Sequence, residues 1–452
     1  MGDRAKEILK PFEAERAYME DRIAGGIEAN RKGRVKLCFV DVDGAPVTGV
    51  HAELKQTSSD FRFGANLFML GQMESQEKNQ EYERLFKELF NLATVPFYWC
   101  DLEPVKGKPR FAKDSPFIYR RPAPDACVEW CEQQGIEPKL HCLNYDQWTP
   151  MWLGRDVPSV KRYLDKRIGE IADRYRGRIP SMEVINETLC EEQSAHVERT
   201  QNRHSTRFFR EPDLVEWSFA NARRHLPYTK LIINEATDFI WGPGFHYNRG
   251  PYYTQIERAL LKGATIDSVG MQFHMFYRAE EEGKRTARMY DPRTLYAVMD
   301  QFADFGLPEQ LTEITIPAYS RAAEDEDIQA EILKNLYSIW FSHANMEALI
   351  YWNLVDGYAA FAPQGDMAYG ENYYHGALVR FDMSKKPAYK VLQKLIHDAW
   401  RTRLSLDSGA SGSVTAKGFY GGYEGTATVN GKTVPVAFHL EKGADNVLTV
   451  QV

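Results

Sequence analysis

Short apolar runs recur along the central part of the chain, and amphipathic stretches separate most of them. Eight such runs occupy 61–70, 92–99, 138–145, 181–187, 230–236, 267–273, 309–316 and 348–354. Between them, stretches such as 159–175 and 213–225 have the apolar spacing of a surface helix. Eight strands that alternate with helices predict a (β/α)8 TIM barrel. An open doubly wound sheet would instead carry a glycine-rich phosphate turn after its first strand, and Gly64 alone is not one.

The two ends of the chain do not continue the alternation of strands and helices. Residues 1–33 are charged with a helical spacing of apolar side chains, which predicts an N-terminal helix. Residues 34–60 alternate around an Asp-Gly turn and predict a β-hairpin, and 401–452 are glycine-rich with short alternating runs. Because neither β-rich piece is long enough to bury a core alone, we predict that they pair into a small accessory β-sandwich. The catalytic barrel would then span 61–400.

Composition excludes several classes of protein. The 452 residues include 56 Lys plus Arg against 63 Asp plus Glu, and the resulting net charge of −7 does not suit nucleic-acid binding. Aromatic residues make up 13%, which is too many for a disordered chain. No apolar run reaches the roughly 18 residues of a membrane-spanning helix. We therefore expect neither nucleic acid nor membrane as a partner, and the sequence leaves the oligomeric state open.

The cysteines and the first residues bear on cellular location. Of the six cysteines, none forms a Cys-x-x-Cys pair, and Cys127 and Cys131 lie one helical turn apart. This favours buried thiols in a reducing compartment over zinc ligands or disulfides. The first residues lack the apolar segment of a secretory signal. We expect a cytoplasmic protein, with a secretion signal that has been removed as the alternative.

Polar and aromatic side chains occur at the carboxyl ends of the predicted strands, which surround the active-site mouth in a barrel. They are His141, Asn144, Asn186, Glu187, Asn234, Glu235, Gln272, His274, Glu313 and Trp352. Amides and imidazoles hydrogen-bond hydroxyl groups, an indole stacks on a sugar ring, and carboxylates act as acid and nucleophile. This combination predicts a carbohydrate site.

Two of these carboxylates stand out by position. Glu187 ends the fourth predicted strand after Asn186, and Glu313 ends the seventh after Thr312. Those strands face each other across a barrel mouth, which can bring the carboxyl groups to about 5 to 5.5 Å, the spacing of a retaining glycosidase. The alternative is a structural pair inside the barrel, and the neighbouring Asn186, Gln272 and His274 favour catalysis over it.

Several short motifs follow one another at barrel spacing. They are Leu-Glu-Pro at 102–104 between Trp99 and Gly107, Met-Glu-Val-Ile-Asn-Glu at 182–187, Ile-Asn-Glu at 233–235, Ile-Asp-Ser-Val-Gly-Met-Gln-Phe-His at 266–274, Leu-Thr-Glu-Ile at 311–314 and Lys-Pro-Ala-Tyr at 386–389. In this order they resemble the motifs of glycoside hydrolase family 10, the endo-β-1,4-xylanase family. The resemblance extends over about 61–395.

The resemblance implies a role for each site residue. Glu187 would be the general acid/base, and Glu313 would be the nucleophile that forms a glycosyl-enzyme intermediate. The residues with an implied substrate-binding or supporting role are Asn186 at the sugar 2-hydroxyl, His274 beside Glu313, Gln272 beside the acid/base, His141 at the cleavage subsite and Trp352 as a stacking floor. We add Tyr145 and Trp241 as substrate-binding residues. No metal and no cofactor is expected.

The chain departs from the family in the walls around this centre. The family carries Glu-Asn-x-x-Lys after its second strand, where it grips the non-reducing sugars, and this chain has Val-Pro-Phe-Tyr at 95–98. On the third strand Tyr145 and Asp146 replace Trp and His, and a second Trp expected near Ala360 is missing. The resemblance is therefore divergent in the glycone subsites.

Some further features have two interpretations. The basic loop 196–210 is expected to be a solvated face, and the sharper hypothesis is that its arginines bind a uronic-acid branch. Trp148 and Trp152 are expected to pack rather than to stack on sugars. The accessory sandwich is expected to be structural, with an aromatic sugar platform at Phe419, Tyr420 and Tyr423 as the alternative.

The sequence thus predicts a retaining glycoside hydrolase that cleaves β-1,4-xylosidic linkages in xylan or xylo-oligosaccharides. The partner would be an oligo- or polysaccharide substrate. One alternative is a related retaining β-glycosidase, endo- or exo-acting, on a different glycan. The other is a glycan-binding barrel without catalysis, which retention of both glutamates disfavours.

Overall fold

The computed structural model describes residues 2–190, 206–242 and 249–452. Its strands are β1 (Lys32–Val40), β2 (His51–Gln56), β3 (Arg62–Asn66), β4 (Leu92–Pro96), β5 (Glu137–His141), β6 (Ser181–Asn186), β7 (Lys230–Glu235), β8 (Ser268–His274), β9 (Glu309–Thr315), β10 (Met346–Tyr351), β11 (Arg403–Asp407), β12 (Ser413–Phe419), β13 (Gly421–Val429), β14 (Lys432–Leu440) and β15 (Val447–Gln451).

The α-helices are α1 (Asp3–Ile8), α2 (Lys10–Ala14), α3 (Arg16–Asn30), α4 (Gln76–Leu89), α5 (Trp99–Leu102), α6 (Pro124–Gln134), α7 (Val157–Tyr175), α8 (Leu214–His225), α9 (Thr237–Trp241), α10 (Pro251–Leu261), α11 (Glu282–Thr286), α12 (Pro292–Ala303), α13 (Ala323–Ser342) and α14 (Pro387–Lys394). In the described ranges no helix combines the length and apolar character that a membrane crossing requires.

Strands β3 to β10 form a closed barrel of eight parallel strands, with β10 pairing to β3. Each coincides with one of the eight apolar runs, so the predicted (β/α)8 TIM barrel is confirmed. The strands β4, β6 and β9 are buried along their whole length, because helices cover the outer face of a parallel sheet. Most runs extend past the carboxyl end of their strand, where the chain enters the loops of the site.

The helices around the barrel follow from local sequence signals. For example, α4 begins after Ser75, whose Oγ accepts a hydrogen bond from the Lys78 backbone N–H at 3.2 Å. This side chain satisfies one of the amide groups that a helix leaves free at its N-terminus. The helix then buries Leu85, Phe86 and Leu89 against the barrel at helical spacing.

The N-terminal segment forms three helices rather than one. Pro11 lies in the first turn of α2, where its missing N–H is tolerated, whereas the same ring cannot continue α1. The segment packs on the outside of the barrel: Phe12 stacks on Tyr290 with 5.6 Å between ring centroids. Arg4 forms ion pairs of 2.8 Å and 2.7 Å with Glu282 and Asp325.

The terminal strands form two small sheets beside the barrel, with strand orders β12-β1-β15 and β11-β2-β13-β14. Side chains from both sheets share one apolar core, including Val35 and Leu37 from β1 and Ala52 and Leu54 from β2. The expected combination of N- and C-terminal strands into an accessory sandwich is confirmed. We call this unit, 32–56 with 403–451, the accessory sandwich.

The predicted β-hairpin at 34–60 is wrong in its pairing, because β1 and β2 lie in different sheets. The Asp-Gly turn does form, with the Gly44 N–H donating to the Asp41 carbonyl at 3.1 Å. The returning chain stays beside β1 only as far as Val47, whose N–H donates to the Phe39 carbonyl at 2.9 Å. The chain then crosses to the second sheet. There β2 pairs with β13, while β1 pairs with β12 in the first sheet, and both pairings are longer than the contact at the turn.

The alternative of an aromatic sugar platform on the accessory sandwich finds no support. Phe419 and Tyr423 are buried. Phe419 packs against Phe341 of α13, and Tyr423 stacks on Phe438 with 4.9 Å between centroids. These rings belong to the packing of the accessory sandwich on itself and on the barrel.

Candidate active site

A cavity of about 670 Å³ opens at the carboxyl ends of the barrel strands. It gathers eight of the nine predicted site residues, namely His141, Tyr145, Asn186, Glu187, Gln272, His274, Glu313 and Trp352. They come from five strands and the residues that follow them, as expected for a site at this face of a barrel.

The side-chain amide of Gln272 joins the two predicted catalytic carboxylates. Its Nε2 donates to Glu187 Oε1 at 2.9 Å and to Glu313 Oε1 at 3.1 Å. Because one nitrogen bonds both, these oxygens lie within about 6 Å of each other, below the roughly 6.5–9.5 Å of inverting glycosidases and compatible with the roughly 5–5.5 Å of retaining ones.

Glu313, on β9, is enclosed by hydrogen-bond donors. Besides Gln272, Asn234 Nδ2 donates to its Oε1 at 3.0 Å, and His274 Nε2 lies 3.2 Å from its Oε2. Burial raises the pKa of Glu313 to about 8, although the His141 cation acts to lower it. The hydrogen-bond donors favour the ionised carboxylate of Glu313, whereas burial favours the neutral acid. The two effects on the pKa of Glu313 therefore oppose each other.

Glu187 follows β6 and turns its carboxylate into the cavity. Tyr145 donates its hydroxyl to Glu187 Oε2 at 2.5 Å, and Gln147 Nε2 lies 3.4 Å from the same oxygen. The backbone of Glu187 has a φ of 51°, a conformation that costs a non-glycine residue about 1 to 3 kcal/mol and is concentrated at functional sites.

Glu235 holds the turn that follows Glu187. It is fully buried, and its Oε2 accepts from the Leu189 N–H at 3.1 Å and from the Thr188 hydroxyl at 3.3 Å. Burial raises the pKa of Glu235 to about 8. It supports the loop behind Glu187 and does not line the cavity, which agrees with a supporting rather than a substrate-binding carboxylate.

The two asparagines at the ends of β6 and β7 are bonded to each other. Asn234 Nδ2 donates to Asn186 Oδ1 at 2.8 Å, and the Thr312 hydroxyl fixes Asn234 by donating to its Oδ1 at 2.6 Å. The Nδ2 of Asn186 is buried without a hydrogen-bond partner in the described part of the chain. This N–H group is therefore available to a ligand hydroxyl. Asn144, in contrast, points away from the cavity and donates to Ser218 Oγ at 3.2 Å.

His141 is part of a buried charge network that the sequence reasoning missed. Its Nδ1 lies 2.5 Å from Glu183 Oε2, and Lys139 forms an ion pair with the other oxygen of Glu183. Burial acts to raise the pKa of Glu183, but Lys139 and His141 outweigh it and lower this pKa to about 2. Burial acts to lower the pKa of His141, but Glu183 outweighs it and the pKa is raised.

The raised pKa favours the positively charged form of the His141 ring, which lies beside Glu313. His141 Nδ1 lies 4.0 Å from Glu313 Oε1, and its Nε2 lies 3.0 Å from the Tyr98 hydroxyl. Both ring nitrogens therefore already have protein partners, which leaves neither free for a sugar hydroxyl. The geometry favours an electrostatic effect of His141 on Glu313 over direct contact with the substrate. In sequence, Lys139 and Glu183 were visible only as single charges inside otherwise apolar strands.

His274 is held in its neutral form. Burial lowers the pKa of His274 to about 4, and its Nδ1 lies 2.9 Å from the Thr315 hydroxyl. If that hydroxyl donates to Nδ1, the hydrogen of the neutral ring is on Nε2 and is donated to Glu313. This geometry fits the implied role of supporting the ionised carboxylate.

Aromatic rings form the wall of the cavity next to β3 and β4. Trp352 lies at the centre, with its ring 5.1 Å from Phe68 and 5.5 Å from His141 between centroids. Tyr98 and Trp148 extend this wall, with 4.3 Å between their ring centroids. Trp148, expected only to pack, lines the cavity, while Trp152 donates its indole N–H to the Glu103 carbonyl at 2.8 Å.

Trp241 does not take the substrate-stacking position that we predicted. It is the last residue of α9, is 1% exposed, and donates its indole N–H to the Gln272 carbonyl at 2.9 Å. Its ring packs on Phe273. The glycines that follow it indicated an exposed loop, whereas the indole turns inward and supports the strand that carries Gln272.

The basic loop 196–210 falls mostly outside the described residues. Its described part contains Arg207 and Arg210, which are exposed and do not line the cavity. Two other arginines do line it, Arg120 and Arg121, near the end of the loop between α5 and α6. They were not predictable from sequence because this long loop has no periodic pattern.

One group of side chains in the described ranges has the composition of a metal site. Donor atoms of His141, Glu183 and Glu313 all lie within 4.8 Å of one another. The Lys139 ammonium group already neutralises Glu183, so the group is accounted for as an ion-pair network. The expectation that no metal or cofactor is needed stays a prediction.

Comparison with known proteins gives the family. The model of glycosyl hydrolase family 10 matches residues 60–395. The anti-sigma-I factor RsgI6 of Acetivibrio thermocellus is 23% identical over 438 residues, covering 93% of this chain and 48% of that protein. A β-1,4-xylanase of Dictyoglomus thermophilum is 22% identical over 317 residues, covering 68% of this chain and 81% of the enzyme.

A solved structure gives the same fold. Xylanase 10B of Thermotoga petrophila RKU-1, in complex with xylobiose, superposes with a TM-score of 0.57 at 19% identity and covers 75% of this chain and 95% of the xylanase. The chain spans about half the length of the anti-sigma factor. The family match extends over the barrel and both predicted catalytic glutamates, and on this basis the chain belongs to glycosyl hydrolase family 10.

Proposed function

We propose that this protein is a retaining glycoside hydrolase that cleaves β-1,4-xylosidic linkages in xylan or xylo-oligosaccharides. The observation that carries the proposal is the bridge from Gln272 Nε2 to Glu187 and Glu313. It holds two carboxylates at a separation suited to double displacement, in a cavity of sugar size.

The reaction would proceed in two steps. Glu313 attacks the anomeric carbon, the glycosidic C–O bond breaks, and the departing oxygen takes a proton from Glu187. In the second step Glu187 removes a proton from water, which displaces Glu313 and restores the original anomeric configuration. Asn186 Nδ2, the unpartnered N–H group in the cavity, is placed to donate to a hydroxyl of the reacting sugar.

The mechanism needs one proton on the Glu187–Glu313 pair. Burial favours the neutral form of Glu313, while the donors from Gln272, Asn234 and His274 favour its ionised form. We infer that activity has a bell-shaped dependence on pH.

The identity of the sugar rests on relatives. The Dictyoglomus protein is named as a β-1,4-xylanase, and the Thermotoga petrophila xylanase was solved with xylobiose. The wall next to β4 differs from the family pattern at 95–98. The first alternative is therefore a related retaining β-glycosidase, endo- or exo-acting, on another glycan.

A second candidate function is glycan binding without turnover. The match to the anti-sigma factor covers 93% of this chain, so it extends beyond the barrel into the terminal segments. A barrel that reports the presence of a polysaccharide needs a cavity and recognition groups but no catalysis. The intact pair and its donors favour the hydrolase.

The test is proton NMR of the anomeric signals while the protein acts on a panel of β-linked oligosaccharides, with Glu313→Ala as the control. Early β-product from xylo-oligosaccharides that the variant does not form supports the proposal. Cleavage of another β-glycan alone keeps the mechanism and discards the substrate. Binding without any turnover supports the second candidate.

A further inference from the structure

Two adjacent arginines in the cavity wall have no part in the reaction proposed above. Arg120 and Arg121 lie near the end of the loop between α5 and α6, and they are only 5% and 8% exposed. Both nevertheless line the cavity. Burying a guanidinium group is costly unless its N–H groups find acceptors, so the hydrogen bonds of each arginine are informative.

Arg120 is incompletely bonded. Its Nη1 donates to Asn353 Oδ1 at 3.0 Å and to the Tyr358 carbonyl. Within residues 2–190, 206–242 and 249–452, its Nε and Nη2 make no hydrogen bond, and no carboxylate forms an ion pair with it. Burial lowers the pKa of Arg120, which is the cost of holding this cation in the wall.

Arg121 is oriented by its neighbours and keeps one edge open. Its Nε donates to Asp101 Oδ2 at 2.7 Å, and its Nη1 donates to the Arg120 carbonyl at 2.9 Å. The guanidinium group lies over the rings of Tyr98 and Trp148, 4.1 Å and 4.7 Å from their centroids. Its Nη2 makes no hydrogen bond to the described residues.

Two acids lie near the arginines, Asp101 behind the wall and Glu371 in it, and both already have partners. Asp101 is held by Arg121. Glu371 accepts from Asn353 Nδ2 at 3.1 Å and from the Ala360 N–H at 3.3 Å, and Asn353 stands between this carboxylate and Arg120. The open donors of the wall are therefore Nε and Nη2 of Arg120, which has no ion pair with a carboxylate of the described residues, and Nη2 of Arg121, whose Nε is already paired with Asp101.

We propose that this wall binds the carboxylate of a uronic-acid residue, so that the protein prefers acidic xylo-oligosaccharides to neutral ones. A planar guanidinium group donates two parallel N–H bonds to a carboxylate, and such charge-assisted bonds are stronger than those to hydroxyl groups. The rings of Phe68, Tyr98 and Trp148 pack against the guanidinium groups and hold them in the cavity wall. The inference rests on the proposed function for the backbone sugar, but it concerns binding rather than cleavage.

The test measures binding on the Glu313→Ala protein, so that hydrolysis does not consume the ligand. Titration calorimetry compares a xylo-oligosaccharide carrying one glucuronic-acid branch with the neutral oligosaccharide of the same backbone. We expect the acidic ligand to bind about ten-fold or more tightly, since bonds to charged groups contribute about 1.5 to 3 kcal/mol each. Adding Arg121→Gln should strongly reduce this preference, measured as the ratio of the affinities for the acidic and the neutral ligand.

Two variants complete the design. Arg121→Lys keeps the charge without the fork, and we expect it to retain part of the preference even if Arg121→Gln does not fold. Arg278→Gln is the matched control, because it removes an exposed arginine after β8 that contacts Tyr373 and does not line the cavity. Arg278→Gln should leave the preference intact.

Three results would overturn the inference: equal affinity for the two ligands, failure of both to bind, or loss of the preference in Arg278→Gln as large as in Arg121→Gln. Turnover of neutral xylo-oligosaccharides by the unmodified protein is scored separately. Preferential binding without turnover contradicts the proposed hydrolase function but supports uronic-acid binding by Arg120 and Arg121. Turnover without preferential binding does the reverse.

Discussion

At the scale of single residues, the site depends on how a few polar groups share protons. Gln272 serves both carboxylates with one nitrogen, Asn186 keeps one N–H for a ligand, and His141 brings a positive charge beside Glu313. Each of these features leads to a measurable effect on turnover or on its pH dependence.

Replacement of the nucleophile is the first prediction. Glu313→Ala removes the atom that would bond to the anomeric carbon, so we expect kcat to fall by at least about 10⁴-fold. The measurement is the initial rate on an aryl β-xyloside, with the melting temperature as a check on folding. Glu309→Ala, on the same strand but at the opposite end of the barrel, serves as the control for loss of a buried carboxylate. Residual activity above one per cent would contradict the assignment.

The second prediction concerns pH. His141 carries a raised pKa because of Glu183, and its positive charge lowers the pKa of Glu313. In His141→Asn this charge is gone, so Glu313 binds its proton more tightly, and the acidic limb of the pH–rate profile, which reports ionisation of Glu313, should move to higher pH by about one unit. The measurement is kcat/KM against pH. His225→Asn, which removes a surface histidine paired with Asp165, should not move the profile, and an unshifted profile in His141→Asn would argue against this electrostatic role.

At the scale of elements, the buried ion pair between β5 and β6 contributes to the stability of the barrel. Lys139 and Glu183 are both fully buried and paired. Lys139→Met leaves Glu183 with a charge that only His141 balances, and we expect a loss of about 3 to 5 kcal/mol in the free energy of unfolding. Lys32→Met breaks the more exposed pair with Glu28 and should cost less than about 1 kcal/mol. Denaturant titration distinguishes the two; equal small losses would show that the buried pair is dispensable.

The elements also show what could be predicted from sequence. The eight strands were predictable because a buried parallel strand is a short apolar run, and the catalytic candidates because they end such runs. The pairing of β1 and β2 was not, since alternation specifies a strand but not its neighbour. The direction of the Trp241 ring and the charges of Lys139 and Glu183 depend on partners far along the chain. Arg120 and Arg121 lie in a loop that no periodicity describes.

At the scale of the whole molecule, the accessory sandwich joins the two ends of the chain beside the barrel. Its core includes Leu37, which is fully buried. Leu37→Ala should lower the free energy of unfolding by about 2 to 5 kcal/mol while leaving kcat on small substrates unchanged, because the sandwich does not line the cavity. Thermal unfolding and initial rates measure the two effects together. A large loss of turnover in a folded Leu37→Ala protein would assign the sandwich a direct part in the site.

Strand β1 lies between β12 and β15, so a strand made early in synthesis pairs only with strands made near the end of the described chain. Lys36 is paired with Val447, and at the usual pace of translation about 20 to 80 seconds separate the appearance of these two residues. During that time the apolar face and the free edges of β1 and β2 have no partner, while the barrel between them can already form. A ribosome-bound chain of this protein would therefore present a folded barrel together with unpaired, aggregation-prone strands β1 and β2, and this is the state in which a chaperone would meet it.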